Sequence, residues 1–144
     1  MSIYLCQKCG HIEFNNVPEN CPACGAPKSA FKQKDNIFEE SREKSPEAEG
    51  KHVPSIKVNK TCDLIPEQGC VDVNVRIGET LHPSVSNHFI QFVDCYQDEK
   101  FIGRTYFTPD VFPATSFHVK EDAGKVTIVE NCNIHGYWMS EVNL

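Results

Sequence analysis

The chain has 144 residues, a formal net charge of −6, six histidines and eight cysteines. This acidic balance argues against nucleic acid as a partner, because there is no basic stripe to neutralise phosphates. No apolar stretch approaches the length of a membrane-spanning helix, and the mean hydropathy is −0.41. The opening residues 1–6 show neither a basic region nor an apolar run. We therefore expect no secretory signal, no membrane partner and a cytoplasmic location.

Residues 1–33 contain two CxxCG motifs with eleven residues between them. In an intracellular chain this pattern indicates a metal site rather than disulfides. Four thiolates form a tetrahedral shell for iron or for zinc, and the spacing alone leaves both metals open. A segment this short cannot bury a sufficient core, so the metal must supply much of its folding energy. The predicted ligands are Cys6, Cys9, Cys21 and Cys24, and His11 is expected to be a solvated loop residue.

This segment resembles the rubredoxin-like domain of rubrerythrins. The matching motifs are Cys6-x-x-Cys9-Gly10 and the run from Cys21 to Lys28, with Phe31 after them. The resemblance favours iron over zinc in the four-cysteine site, and a zinc ribbon remains the alternative.

Residues 34–49 carry three basic and six acidic side chains and few core-forming residues. This composition predicts a charged linker with one helical turn around 38–42. The linker would separate two modules that each hold their own metal ligands.

Residues 50–144 change to a period of two. The segment 71–77 alternates apolar and polar residues without a break, which predicts a half-buried strand. Further β-rich runs cover 89–96, 101–107, 116–119 and 125–131, separated by turn sequences. Short strands at this spacing predict an all-β domain, an immunoglobulin-like antiparallel β-sandwich.

Four histidines and one cysteine of this domain lie in predicted loops or at strand ends: His52, His82, His88, Cys132 and His135. Any one of them alone is more often structural or solvated. A sandwich gathers distant loops at one end, and imidazoles with a thiolate suit iron, with zinc or copper as rivals. His118 is expected on a strand among core residues. Cys62, Cys70 and Cys95 match no motif and are expected to be free thiols, Cys95 in a strand, with a disulfide between Cys62 and Cys70 as an unsupported alternative.

The region from Gly50 to Trp138 resembles the catalytic domain of superoxide reductases, the desulfoferrodoxin/neelaredoxin family. The matching motifs are Lys51-His52-Val53-Pro54, His82-Pro83 with His88 after it, and Cys132-Asn133-Ile134-His135-Gly136-x-Trp138. The resemblance implies a non-haem iron with four equatorial histidines, an axial Cys132 and an open sixth position.

The same resemblance implies an activity and partners. The expected reaction is the one-electron reduction of superoxide to hydrogen peroxide without dioxygen release. An electron donor such as rubredoxin or a reductase would supply the electron, and a homo-oligomer is expected by analogy.

Two positions that precede His52 are relevant to catalysis. Lys51 adjoins His52 and is the candidate for steering superoxide and hydrogen-bonding a bound oxygen. Many members of the family have a glutamate just before this lysine, which ligates the ferric iron, whereas this chain has Gly50 there. Glu49 and Glu47 lie slightly further back. We therefore expect water or hydroxide, and no carboxylate, at the ferric site.

Two other functions remain open from the sequence. One is an electron-transfer protein with two iron centres and no superoxide turnover. The other is a structural zinc protein. Rapid mixing of the reduced protein with superoxide discriminates the first from an enzyme, and metal content with the visible spectrum discriminates the second.

Overall fold

The computed structural model describes residues 1–144 and consists mainly of antiparallel strands. Three short strands form the N-terminal sheet: β1 (Ile3–Cys6), β2 (Ile12–Phe14) and β3 (Phe31–Gln33). Two helices follow, α1 (Ile37–Lys44) and α2 (Glu49–His52), and 3₁₀ turns occupy Lys28–Ala30 and Pro46–Ala48. The remaining strands are β4 (Pro54–Asn59), β5 (Val71–Ile77), β6 (Ile90–Gln97), β7 (Lys100–Tyr106), β8 (Ala114–Val119), β9 (Lys125–Cys132) and β10 (Gly136–Asn143). No helix is long and apolar enough to cross a membrane.

The last seven strands form a β-sandwich, which confirms the predicted all-β class. One sheet has the order β10-β9-β6-β7 and the other the order β4-β5-β8, with every pairing antiparallel. The core lies between the sheets because inward positions alternate along each strand. On β5, for example, Val71, Val73, Val75 and Ile77 are all buried.

Five of these strands follow the period-two pattern of the sequence. β5 has the predicted bounds, and β6, β7, β8 and β9 lie within two residues of theirs. Strands β4 and β10 were not predicted. β4 begins at Pro54 and is an edge strand with partly exposed residues, where the pattern is weak. β10 begins directly at Gly136, so the turn signal masked the start of the strand.

The segment predicted to be a charged linker contains α1, which is longer than the single turn expected. Ile37, Phe38 and Ser41 are buried on one face of α1, and this helix packs on β10. Ser41 Oγ accepts a hydrogen bond of 3.0 Å from the backbone N–H of Tyr137. The segment is therefore fixed against the sandwich beside the end of β9.

One apolar cluster joins the N-terminal sheet to the sandwich. Ile3, Ile12 and Phe14 pack together with Tyr96 of β6 and Val129 of β9. The side chains of α1 complete this cluster. Because the two parts share buried apolar surface, the stability of each depends on the other.

A buried polar cluster, formed by His11, Asp94 and Arg104, crosses the same boundary. It shows that the expectation for His11 was wrong. His11 is fully buried rather than solvated. Its Nδ1 lies 3.1 Å from Oδ2 of Asp94, and its Nε2 pairs with Glu13. Burial lowers the pKa of His11, but the hydrogen bonds and negative charges of Asp94 and Glu13 outweigh it and the net pKa is raised. Arg104 also binds Asp94, since its Nη2 donates a hydrogen bond of 2.8 Å to Oδ2 of Asp94. Its Nη1 donates a hydrogen bond of 2.9 Å to the carbonyl oxygen of Cys9.

Asp94→Ala is expected to lower the free energy of unfolding by about 3–5 kcal/mol, because it leaves the buried His11 and Arg104 without their shared carboxylate. Chemical denaturation followed by circular dichroism measures the effect. Asp110→Ala, at an exposed aspartate, is the matched control and should change stability by less than about 0.5 kcal/mol. Equal decreases in the free energy of unfolding of the two variants would contradict a stabilising role for the His11–Asp94–Arg104 cluster.

Two further expectations about side chains were wrong. Cys62 and Cys70 form a disulfide instead of remaining free thiols. His118 does lie on β8, but on its outer face and 33% exposed, where Nδ1 bonds to Oδ1 of Asp72 at 2.8 Å. Cys95 is a free cysteine, fully buried in β6 as expected for a strand residue.

Candidate metal centres

The five predicted ligands of the second centre come from four separate places in the chain that meet at one end of the sandwich. His52 ends α2, and His82 follows β5, with its N–H bonded to the carbonyl oxygen of Ile77 at 2.8 Å. His88 lies just before β6, while Cys132 ends β9 and His135 occupies the turn into β10. The antiparallel order of β6, β9 and β10 is what places these chain ends side by side.

The four imidazoles surround a common centre, and each lies beside two of the others. The imidazole centroids of His52 and His82 are 4.6 Å apart, and those of His82 and His88 are also 4.6 Å apart. On the other two sides, the centroids of His88 and His135 are 5.0 Å apart and those of His135 and His52 are 4.8 Å apart. The diagonal from His52 to His88 is longer, at 6.2 Å. The arrangement is close to a square.

Hydrogen bonds and burial leave one nitrogen of each ring available at the centre. His52 and His82 donate from Nδ1 to the carbonyl oxygens of Ala48 and Pro83, at 2.8 and 2.7 Å, so each Nε2 carries a free lone pair. These two Nε2 atoms lie 3.1 Å apart. Nε2 of His88 and Nδ1 of His135 are buried and have no hydrogen-bond partner. Buried polar atoms normally have partners, so these orphaned nitrogens fit a metal ion.

Cys132 adds a sulfur to this ring. Its Sγ lies 3.4 Å from Nε2 of His82, and the residue is 2% exposed. Burial raises the pKa of the Cys132 thiol, although hydrogen bonds from the backbone of His135 and Ile134 lower it in part. A bound cation would deprotonate such a thiol outright. His88 and His135 are partly exposed, so solvent reaches the centre from their side.

Burial favours the neutral forms of His52 and His82, and an imidazole that binds a metal must be neutral. Burial lowers the pKa of His52 to about 4 and that of His82 to about 4. Four neutral imidazoles and one thiolate form a mixed nitrogen and sulfur set, which suits iron and does not suit magnesium or calcium.

Several residues that support the site were not found from the sequence. Asn133 accepts from the N–H of Phe89 at 3.0 Å and donates to the carbonyl oxygen of Asn87 at 3.2 Å, which holds the loop of His88 against the Cys132 turn. Trp138 donates to the carbonyl oxygen of His135 at 3.1 Å, and its ring centroid lies 5.2 Å from that of His52. Both residues lie within the matched motif, which was the available signal.

Glu130 was also missed. It is fully buried two residues before Cys132, and neither carboxylate oxygen has a hydrogen-bond partner. Burial raises the pKa of Glu130 well above its ordinary value. The alternation of β9 puts Glu130 on the same face as Cys132, so the period-two pattern could have indicated its position.

Lys51 lies on α2 beside His52 and is exposed. Its positive charge is among the smaller causes that lower the pKa of His52 and of His88, after burial and the neighbouring histidines. Glu47 and Glu49 are exposed, and Oε1 of Glu49 lies 4.0 Å from Nε of Arg42 on the surface.

The N-terminal cysteines form the other centre. Sγ of Cys6 lies 3.7 Å from Sγ of Cys24, and Sγ of Cys9 lies 3.7 Å from Sγ of Cys21. A tetrahedral thiolate site with bonds of about 2.3 Å needs sulfurs roughly 3.8 Å apart, so the four cysteines fit iron or zinc. Each CxxC turn closes on a glycine N–H, and both glycines have φ near +80°, Gly10 at +80° and Gly25 at +78°.

Comparisons with known proteins agree with these two centres. The family model described as desulfoferrodoxin matches residues 44–141, and the rubredoxin-like domain of rubrerythrin matches residues 4–32. A superoxide reductase from Pyrococcus abyssi is 35% identical over an alignment of 106 residues, and the match covers 65% of this chain and 87% of that protein. A desulfoferrodoxin from Syntrophotalea carbinolica is 28% identical over 143 residues, covering 98% of this chain and 96% of the relative.

A solved structure supports the fold over the whole length. The superoxide reductase from Treponema pallidum superposes with a TM-score of 0.62 at 22% identity, covering 96% of each chain. The chain thus combines a four-cysteine knuckle with a sandwich that gathers four histidines and one cysteine, the ligand set that fits non-haem iron. It belongs to the desulfoferrodoxin family.

Proposed function

We propose that this protein is a superoxide reductase, which reduces superoxide by one electron to hydrogen peroxide and releases no dioxygen. The observation that carries the proposal is the square of four imidazoles with the buried sulfur of Cys132 beside it, open to solvent at His88 and His135. Relatives named superoxide reductase, 35% and 33% identical and matched over 87% of their length, support it.

The division of labour in the site follows from its donors. Iron held by His52, His82, His88, Cys132 and His135 would supply the electron for superoxide reduction. The Cys132 sulfur, once deprotonated, would be an electron-rich ligand that raises the electron density available to the substrate. His52 and His82 are oriented by their Nδ1 hydrogen bonds, which fix the ring that presents Nε2.

Lys51 is proposed to act on the substrate side. Superoxide is an anion and the protein carries a net charge of −6, so attraction must be local. The exposed ammonium of Lys51, beside His52, attracts the anion and can donate a hydrogen bond to superoxide directly or through water. The two protons that the product needs come from this side of the site, from solvent or from Lys51.

Lys51→Ala is expected to lower the second-order rate constant for superoxide roughly tenfold, because the local positive potential is lost. Stopped-flow mixing of the reduced protein with superoxide measures it. Lys51→Arg should keep most of the rate. Lys57→Ala removes another exposed lysine, on β4, and should leave the rate unchanged. A rate that falls equally in the Lys51 and Lys57 variants would contradict a specific role for Lys51.

No carboxylate of this chain is proposed to ligate the ferric iron, so that water or hydroxide would complete its coordination. Gly50 has no carboxylate, and the carboxylates of Glu47 and Glu49 are exposed to solvent. A ferric-state crystal structure with either glutamate on the iron would contradict this proposal.

The N-terminal centre is proposed to deliver electrons to the catalytic iron. Tyr137 donates a hydrogen bond of 2.8 Å to the carbonyl oxygen of Gly10, which directly follows Cys9. Tyr137 in turn lies two residues after His135, so one hydrogen bond connects the two ligand sets through the backbone. Rubredoxin or a reductase in the cytoplasm would supply this centre.

Rapid mixing with superoxide tests the proposed function directly. The reduced protein should be oxidised quickly and release hydrogen peroxide, with no dioxygen. A protein that only carries electrons would show no fast oxidation that yields peroxide. An all-zinc protein would be colourless and inert, and either result would overturn the proposal.

A further inference from the structure

A second cluster of metal-binding side chains lies far from the iron site. Cys62, Cys70, Asp72 and His118 each offer one ligand atom, and all four atoms lie within 4.8 Å of one another. The cluster is at the start of β5, whereas His82 follows the end of that strand. A strand of this length separates the two places by on the order of 20 Å. The cluster is therefore not part of the catalytic centre.

The sheet itself builds most of this cluster. Asp72 of β5 is paired with His118 of β8, and both lie on the outer face of the β4-β5-β8 sheet. Cys70 precedes Asp72 by two residues and so points to the same face. Cys70 Sγ lies 3.8 Å from Oδ1 of Asp72 and 3.8 Å from Nδ1 of His118. Regular β structure thus places Asp72 and His118, and Cys70 lies directly before the start of β5.

Cys62 joins the cluster through the loop between β4 and β5. In the structure it forms a disulfide with Cys70, with Cα atoms 5.5 Å apart. Residues 63–69, between the two cysteines, are all exposed, while both cysteines are 7% exposed. No apolar packing holds this loop, so its attachment to the sheet depends on the cysteines and their neighbours.

We propose that Cys62, Cys70, Asp72 and His118 form a third metal site, which binds Zn²⁺ when the two cysteines are reduced and is closed by their disulfide when they are oxidised. Two thiolates, one imidazole and one carboxylate complete a tetrahedral zinc shell. That shell needs the sulfurs roughly 3.8 Å apart, so the disulfide and the zinc complex exclude each other. Side-chain rotation over the existing Cα separation allows both.

The disulfide form and the zinc-bound form interconvert by a two-electron redox reaction. A dithiol or a phosphine reduces the disulfide by two electrons, and two protons leave the thiols as zinc binds. In the reverse direction, hydrogen peroxide takes two electrons from the two zinc-bound thiolates and two protons are consumed. The products are the disulfide, two waters and free Zn²⁺. Reduced protein thus holds the β4–β5 loop by the metal, and oxidised protein holds it by the covalent bond.

Metal content tests the proposal on the full-length protein with its iron in place. One sample is reduced with a phosphine under anaerobic conditions and a second is left oxidised. Both are incubated with Zn²⁺, desalted and analysed for iron and zinc. We expect one additional zinc per chain in the reduced sample only, with iron unchanged. Hydrogen peroxide should then release that zinc as two thiols per chain disappear.

Matched variants separate the site from other thiolates. Asp72→Asn should lower the affinity for the additional zinc at least about tenfold. Asp63→Asn, at an exposed aspartate of the same loop, should not. Cys62→Ser with Cys70→Ser should abolish the additional zinc. The proposal is overturned if the reduced protein binds no additional zinc, if zinc enters only as iron is lost, or if the Asp72 and Asp63 variants bind it equally. None of these results depends on superoxide turnover.

Discussion

Cys132→Ser is expected to lower superoxide reduction at least about 100-fold, even when calculated per bound iron. A serine hydroxyl stays protonated and is a poor ligand, so the electron density that the thiolate supplies is lost. The visible band that arises from charge transfer between sulfur and iron should disappear. Stopped-flow kinetics with superoxide and the spectrum of the oxidised protein provide the two measurements.

The control for this change is Cys95→Ser. Cys95 is also a buried free cysteine, on the neighbouring strand β6, where it pairs with Ile128 of β9. Cys95 lies outside the group of four histidines, so its replacement should lower the stability of the protein without removing the charge-transfer band. A Cys132 variant that keeps both the band and the activity would rule out this residue as the sulfur ligand. Iron analysis of each variant separates loss of metal from loss of reactivity.

Cys21→Ser combined with Cys24→Ser is expected to unfold the N-terminal segment. Metal binding contributes about 10–16 kcal/mol in zinc-finger peptides, and two thiolates cannot hold the ion in place of four. Hydrogen exchange should show loss of protection in β1, β2 and β3, while β5, β6 and β9 remain protected. Lys8→Ala, at an exposed residue inside the first knuckle, should leave both metal and protection intact.

The same double variant should also weaken the sandwich. Ile3, Ile12 and Phe14 would leave the cluster that covers Tyr96 and Val129. Exposing that surface should lower the free energy of unfolding of the remaining protein by about 3 kcal/mol, on the scale of one large core truncation. A sandwich that unfolds as it does in the native protein would show that the shared cluster contributes nothing. Reaction of the chemically reduced catalytic iron with superoxide should survive.

The proposed metal ligands could be found from the sequence because their chemistry is local or lies within recognisable motifs. Each CxxCG unit places two thiolates in one turn, and Cys132 and His135 likewise share one turn. The histidines at 52, 82 and 88 are separated along the chain, and the motifs around them indicated that they belong together. The strands with strict alternation were equally accessible, since one face of each is buried and the other is solvated.

The interpretation of single residues was weaker where their surroundings come from distant parts of the chain. His11 looked like a solvated loop residue, yet Asp94, which is 83 positions away, binds it in the interior. His118 was expected in the core, yet the register of β8 on β5 turns it outward beside Asp72. The disulfide between Cys62 and Cys70 depends on how an exposed loop returns to the sheet. Contacts of this kind depend on which distant segments come together in the tertiary structure, and the spacing of residues within one segment does not show that.

The sequence by itself therefore indicated the candidate ligands of the two expected metal centres, the all-β class and most of the strands, because residue chemistry and two-residue periodicity are local properties. Only the tertiary structure decided the square order of the four imidazoles, the orphaned nitrogens of His88 and His135, and the burial of Cys132. It also decided that Gly10 contacts Tyr137 and that Cys70 meets His118. The physical reason is that Gly10 and Tyr137 are 127 positions apart and Cys70 and His118 are 48 positions apart, so strand pairing and the packing of one sheet on another are needed to bring such residues together.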